Sequence, residues 1–131
     1  MNIDSPDTLI ILAGTNDLAY AFRNNEDPDV DSIATSIINT GRYAREKGVK
    51  TIYINSIIVR RGYRYKYPRT RLNNIIRAKC EELGFFYIDN EGIRMDDLCE
   101  DGLHLNEFGT EKLRTNFLKC FHSYNPYLYH N

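Results

Sequence analysis

The sequence contains little of what would mark a disulfide-rich or zinc-binding protein. Its 131 residues include no tryptophan, four prolines and three cysteines. Cys80, Cys99 and Cys120 are odd in number and show no Cys-x-x-Cys spacing, which argues against both a disulfide framework and a zinc site. We therefore predict free, mostly buried thiols.

Long apolar runs and an excess of charge are also absent. The run nearest the N-terminus, from Leu9 to Ala13, is too short to span a membrane and lacks the basic flank of a signal peptide. A formal net charge of −1 gives no overall attraction to nucleic acid or to anionic membranes. With the free thiols, these absences predict a cytoplasmic protein, with the nucleus as the alternative, and no membrane partner.

What is present is the alternating pattern of a small α/β domain. Apolar runs of strand length cover residues 8–13, 51–58 and 85–89, and apolar residues recur at helical spacing in residues 28–47, 72–83 and 107–121. This alternation predicts a single domain over residues 1–131, with a parallel sheet between helical layers. Residues 122–131 are a predicted tail.

Capping residues predict where the helices begin and end. Asp27 is the predicted N-cap of the first helix, with Pro28 at its first position. Gly48 and Gly84 follow the first two helices, where glycine readily adopts the left-handed conformation that ends a helix. Asn106 is the predicted N-cap of the last helix.

Polar residues follow the first strand in the order Gly14-Thr15-Asn16-Asp17. In an α/β sheet, ligand groups lie beyond the carboxyl ends of the strands. Glycine permits a tight turn there, and the amide of Asn16 can donate a hydrogen bond to a developing oxyanion. The alternative is a plain turn, since Gly, Asn and Asp favour turns for backbone reasons.

A second polar motif, Asp101-Gly-Leu-His104-Leu-Asn106, precedes the last helix. An aspartate three residues before a histidine can reach imidazole Nδ1 and leave Nε2 free as a general base. The alternative is an exposed loop histidine, with Asp101 only stabilising a turn.

The two motifs together, in this order and separated by two βα units, resemble the latter half of SGNH (GDSL-type) hydrolases. Residues 72–89 and 101–110 are also similar to esterase-like domains of animal retroelement-encoded proteins, and the resemblance covers residues 8–121. It implies a flavodoxin-like three-layer fold, hydrolysis of small acyl esters by a Ser-His-Asp triad, and no cofactor or metal. It further implies the site roles: Asn16 as oxyanion donor, Gly14 as turn former, His104 as base, Asp101 as its orienting acid, and Asp17 as a brace of the loop.

The family's nucleophilic serine, which precedes these motifs in a Gly-Asp-Ser block, has no clear counterpart here. Ser5 stands at the start of the strand that leads to Asn16, which is the wrong end of the sheet. Ser56 lies late in the second strand, on the correct edge, but strand serines are usually structural. The nucleophile is thus unknown, and we expect an N-terminally incomplete or catalytically inactive domain. The alternative is a non-catalytic binding or assembly module.

Two surfaces suit such a module. Residues 60–71 interleave basic residues with tyrosines, and an extended chain there would present a strip suited to nucleic acid. The slightly negative net charge favours a solvated loop instead. As part of a substrate loop, Arg60, Arg61 and Tyr63 would border an esterase pocket and bind an anionic group. The other surface is the edge of the strand at residues 8–13, which is open to homodimerisation without its flanking strands.

Overall fold

A computed structural model of the chain describes residues 7–124, in which three strands and four helices alternate. The elements are β1 (Thr8–Ile11), α1 (Thr15–Arg23), α2 (Val30–Glu46), β2 (Thr51–Asn55), α3 (Lys66–Leu83), β3 (Phe86–Ile88) and α4 (Glu107–Tyr124), with 3-10 turns at Tyr63–Tyr65 and Met95–Asp97. The strands form one parallel sheet in the order β1-β2-β3. The predicted α/β class with a parallel sheet is confirmed.

Helices cover both faces of the sheet, as the side chains of β2 demonstrate. Ile52 and Ile54 point to one face, where they join a buried apolar cluster with Leu18 of α1 and with residues of α2 and α3. Tyr53 points to the other face, and its ring centroid lies 5.3 Å from that of Phe117 in α4. The domain therefore has three layers, with α4 opposite the other three helices.

Two predicted helix starts are wrong, and two predicted boundaries are confirmed. The N-cap of α2 is Asp29 rather than Asp27, because the Asp29 carboxylate accepts a hydrogen bond from Ser32 N at 3.0 Å. α3 begins at Lys66, six residues before the predicted start, so residues 66–71 are helical rather than extended. Gly84 ends α3 with φ 73°, and Asn106 Oδ1 accepts a hydrogen bond from Gly109 N at 2.9 Å at the start of α4.

α1 is an element that the sequence pattern did not predict. The Gly14–Asp17 motif is not an isolated turn, because Gly14 is the N-cap residue and a helix begins at Thr15. Leu18, Ala19 and Ala21 of this helix are buried, and their packing supplies the stability that nine residues lack alone. Asn16 and Asp17 consequently lie in the first turn of a helix.

Buried amide side chains join the carboxyl ends of the three strands. Asn55 Nδ2 donates to the carbonyl oxygen of Ile11 in β1 at 3.1 Å. Asn90, two residues after β3, donates through Nδ2 to Asn55 Oδ1 at 2.9 Å and through its backbone N–H to Ser56 Oγ at 2.8 Å. These hydrogen bonds fix the positions of the three strand ends relative to one another, and the loops that follow the strands begin at those ends.

The cysteines agree only in part with the prediction. All three are free thiols; Cys80 is buried and Cys120 partly buried, but Cys99 is exposed. Burial raises the pKa of the Cys80 thiol to about 12. Within residues 7–124, no helix combines the length and apolar character that crossing a membrane requires.

Candidate active site

A cleft of about 460 Å³ lies at the carboxyl ends of β1 and β2. Its walls come from three chain segments, residues 12–17, residues 58–59 and residues 103–105. Gly14, Asn16 and His104 all line it. The two motifs, separated by more than eighty positions in the sequence, therefore meet at one cavity beyond the carboxyl ends of the strands, where ligand groups lie in α/β sheets.

Asp101 binds both the imidazole of His104 and the backbone that carries it. Its Oδ2 lies 2.5 Å from His104 Nδ1, while Oδ1 accepts hydrogen bonds from Leu103 N at 2.9 Å and His104 N at 3.0 Å. Hydrogen bonds from the imidazole and from these two amides lower the pKa of Asp101 to about 2. Since the ionised carboxylate can only accept, Nδ1 is the donor and Nε2 of the neutral ring carries the free lone pair.

The loop that carries His104 is anchored to the rest of the domain by Arg61. Arg61 N donates to Gly102 O at 2.9 Å, and Arg61 Nη1 donates to Glu100 O at 2.6 Å. Cys99 N also donates to His104 O at 2.7 Å, which closes the loop on itself. Arg61 is therefore a structural anchor of the histidine loop, whereas the sequence had suggested it as a ligand-binding residue.

Gly14 allows the chain to turn sharply between β1 and α1. Its φ of 110° lies in the left-handed region, and a Cβ at this position would collide with the side chain of Ile57 and press on that of Ile37. Leu18 N donates to Gly14 O at 3.2 Å, so the turn leads directly into α1. Asn16 and Asp17 reach the cleft because this turn is tight.

No serine lines the cleft among the described residues. Ser56 has no solvent exposure, and its hydroxyl accepts the hydrogen bond from Asn90 N, so its role is structural. Thr15 carries the one hydroxyl among the lining residues. Ser5 lies outside the described residues.

The other two residues of the predicted substrate loop are partly described. Arg60 is half-buried, with its guanidinium carbon 5.1 Å from the ring centroid of Tyr65. Tyr63 begins a 3-10 turn. The extended strip that underlay the nucleic-acid hypothesis is absent, because residues 63–71 are helical, and nucleic-acid binding by residues 60–71 stays a prediction.

The same arrangement of strands and helices occurs in solved structures of bacterial hydrolases. A GDSL-like lipase from Bacteroides thetaiotaomicron superposes with a TM-score of 0.72 at 17% identity, covering 91% of this chain and 63% of the lipase. The chain has the GDSL-like lipase fold. An acetylxylan esterase from Geobacillus stearothermophilus superposes with a TM-score of 0.69 at 18% identity, covering 88% of this chain and 59% of the esterase.

This chain spans about 60% of the length of these structural relatives. No protein-family model matches it, and no curated protein does. At such low identity the likeness establishes the fold alone. Among residues 7–124, no three His, Cys, Asp or Glu side chains are grouped closely enough to hold a metal ion.

Substituting Gly14 tests whether the turn needs glycine for space as well as for its backbone angle. Gly14→Ala is expected to lower the free energy of unfolding by about 2–5 kcal/mol, since left-handed strain of about 1–2 kcal/mol adds to crowding against Ile57. Gly48→Ala is the matched control, because φ there is 103° and a Cβ would contact nothing within 4 Å. If urea denaturation showed that the two variants lose the same unfolding free energy, crowding against Ile57 would not contribute to the cost.

The low pKa of Asp101 predicts a pH-dependent contribution to stability. Because the pKa falls from the ordinary 3.8 to about 2 on folding, the carboxylate favours the folded state above about pH 4, and this contribution is lost as the pH falls through about 2. In a carbon NMR titration, His104→Ala should raise the Asp101 pKa toward 3.8, whereas His122→Ala should leave it unchanged. An Asp101 pKa that is unchanged in His104→Ala would contradict the pairing, because the two backbone amides alone would then account for it.

Proposed function

We propose that this chain contributes the general base, its orienting acid and an oxyanion donor to an SGNH-type esterase site. The hydrogen bond between Asp101 and His104, in a cleft that Asn16 also lines, carries the proposal. If His104 were an ordinary surface histidine, it would not need a carboxylate partner at 2.5 Å. If Gly14–Asp17 were only a turn, it would not need to lie in the same cleft as that histidine. The fold, shared with lipases and esterases, supports the same class of reaction.

The chemistry follows from the atoms that each residue offers. His104 Nε2 would accept the proton of a serine hydroxyl as that oxygen attacks the ester carbonyl. Asp101 would hold the imidazole and stabilise the imidazolium that forms. Asn16 would donate to the oxygen of the tetrahedral intermediate, and His104 would then protonate the leaving alcohol.

We further propose that the serine comes from additional polypeptide that pairs with the free edge of β1. Within the described chain, β1 pairs only with β2. The His104 side chain is 75% exposed, which is high for a general base that works best where water is excluded. The structural relatives are longer, since this chain spans about 60% of their length, and a further strand and serine from such additional chain would use the free edge and face the exposed base.

The chain alone is therefore expected to hydrolyse short acyl esters several orders of magnitude more slowly than a complete esterase, because one member of the triad is missing. A serine-directed fluorophosphonate should add no mass to the protein. The residual hydrolysis of p-nitrophenyl acetate should fall in His104→Gln and in Asn16→Ala, and it should be unchanged in His122→Gln, the matched surface histidine.

Two results would contradict the proposal in different ways. Equal effects of His104→Gln and His122→Gln would mean that the cleft does not use its histidine. Rapid turnover with phosphonate labelling would mean that the chain holds its own nucleophile, and peptide mapping with Thr15→Val would identify it.

The edge of β1 favours a second candidate function, which is assembly. Ile10 is 48% exposed and Leu12 is 55% exposed, so exposed apolar side chains lie beside the edge of β1 that has no partner strand among the described residues. Natural edges are usually protected by charge, proline or a bulge, and an unprotected edge templates pairing with another chain. Two copies joined through β1 would form an isologous dimer about a two-fold axis.

Sedimentation equilibrium tests this assembly. The chain should form a dimer at micromolar concentration, and Ile10→Lys should weaken the dimer by about tenfold or more, because it removes apolar burial and places two like charges near the axis. Tyr43→Lys, at an exposed aromatic residue of α2, is the control. A monomer at all concentrations would exclude the dimer and leave the proposed catalytic role intact.

A further inference from the structure

A second pocket, of about 310 Å³, lies beside the candidate active site and is strongly basic. Four cationic side chains, those of Arg60, Lys66, Arg69 and Arg94, line it, with Glu91 as the one carboxylate. Its volume is at the lower end of the range of about 300–1,000 Å³ that is usual for small-molecule sites. A pocket of this size and charge suits a small anion better than an apolar group.

Two cations of this pocket, Lys66 and Arg69, differ from the neighbouring basic residues, which have structural partners. Arg64 stacks on the ring of Phe22 at 4.4 Å, and Arg71 forms an ion pair with Asp31 at 3.2 Å. Lys66 and Arg69 form no ion pair with any described residue. Their charges are not needed to hold the loop, and they remain available to a ligand.

Arg60 adds a cation that is already partly removed from water. Its Nη1 is buried and has no hydrogen-bond partner among residues 7–124, while the guanidinium stacks over Tyr65. A buried guanidinium N–H without a hydrogen-bond partner is costly, and an anion that accepts from it reduces that cost. Lys66 and Arg69 belong to the first turns of α3, where the positive end of the helix dipole adds to the same field.

We propose that this pocket binds a phosphate group. A phosphate dianion matches several converging cations, and arginine pairs with its oxygens through two parallel N–H donors. Val59 lines both this pocket and the candidate active site, so the two cavities adjoin. On the basis of the proposed function, the substrates would be acyl esters that carry a phosphate group next to the ester.

Titration of the intact chain with inorganic phosphate tests the pocket without any catalysis. Amide shifts in nitrogen–proton NMR spectra should change saturably at millimolar phosphate for residues that line the pocket. Lys66→Gln and Arg69→Gln should each weaken binding by about tenfold, the effect of losing one charge-assisted hydrogen bond of about 1.4 kcal/mol. Arg42→Gln removes one charge from α2, outside the pocket, and should have no effect.

An absence of saturable shifts would overturn the proposal, and so would equal shifts with sodium chloride at matched ionic strength. Unchanged affinity in both Lys66→Gln and Arg69→Gln variants that remain folded would also contradict it. Binding of oligothymidylate without any binding of inorganic phosphate would also overturn it, in favour of nucleic acid. None of these results bears on residual ester hydrolysis by His104, so failure of the pocket and failure of the proposed esterase role are distinguishable.

Discussion

The arrangement of the site depends on the hydrogen bonds that the buried side-chain amides of Asn55 and Asn90 form. Asn55 reaches the last residue of β1 and Asn90 reaches Asn55, so three strand ends are connected through side chains. A buried amide that loses a partner costs about 1–3 kcal/mol. Strands as short as those in this sheet have few ladder hydrogen bonds of their own, and these amides therefore define where each loop leaves the sheet.

Both halves of the candidate site are built outward from those strand ends. On one side, Gly14 turns the chain between β1 and α1, and the buried residues of α1 hold Asn16 at the cleft. On the other side, Asp101 binds the imidazole and its backbone together, while Arg61 ties that loop to the segment after β2. Asn16 and His104 are thus positioned by separate contacts, and both reach the same cavity.

The segment after β2 anchors the histidine loop and also lines a basic pocket. Its sequence alone did not distinguish which residues do which. Its basic residues and tyrosines suggest a solvated or extended strip, and Pro68 and the high charge masked the early start of α3. In the folded domain, Arg61 and Arg64 are structural, whereas Lys66 and Arg69 line a basic pocket. Similarly, the polar residues of the Gly14–Asp17 motif masked α1, which is stabilised by tertiary packing rather than by its own propensity.

The sequence by itself determined what depends on neighbours within a few positions. The order of the strands and of the helices other than α1, the cap at Asn106, the helix end at Gly84 and the pairing of Asp101 with His104 all follow from short-range spacing. Only the tertiary structure decided that Asn16 and His104 share a cleft and that Ser56 is buried beneath Asn90. These are contacts between segments far apart in the chain, and they exist only once the parallel sheet has brought its strand ends together.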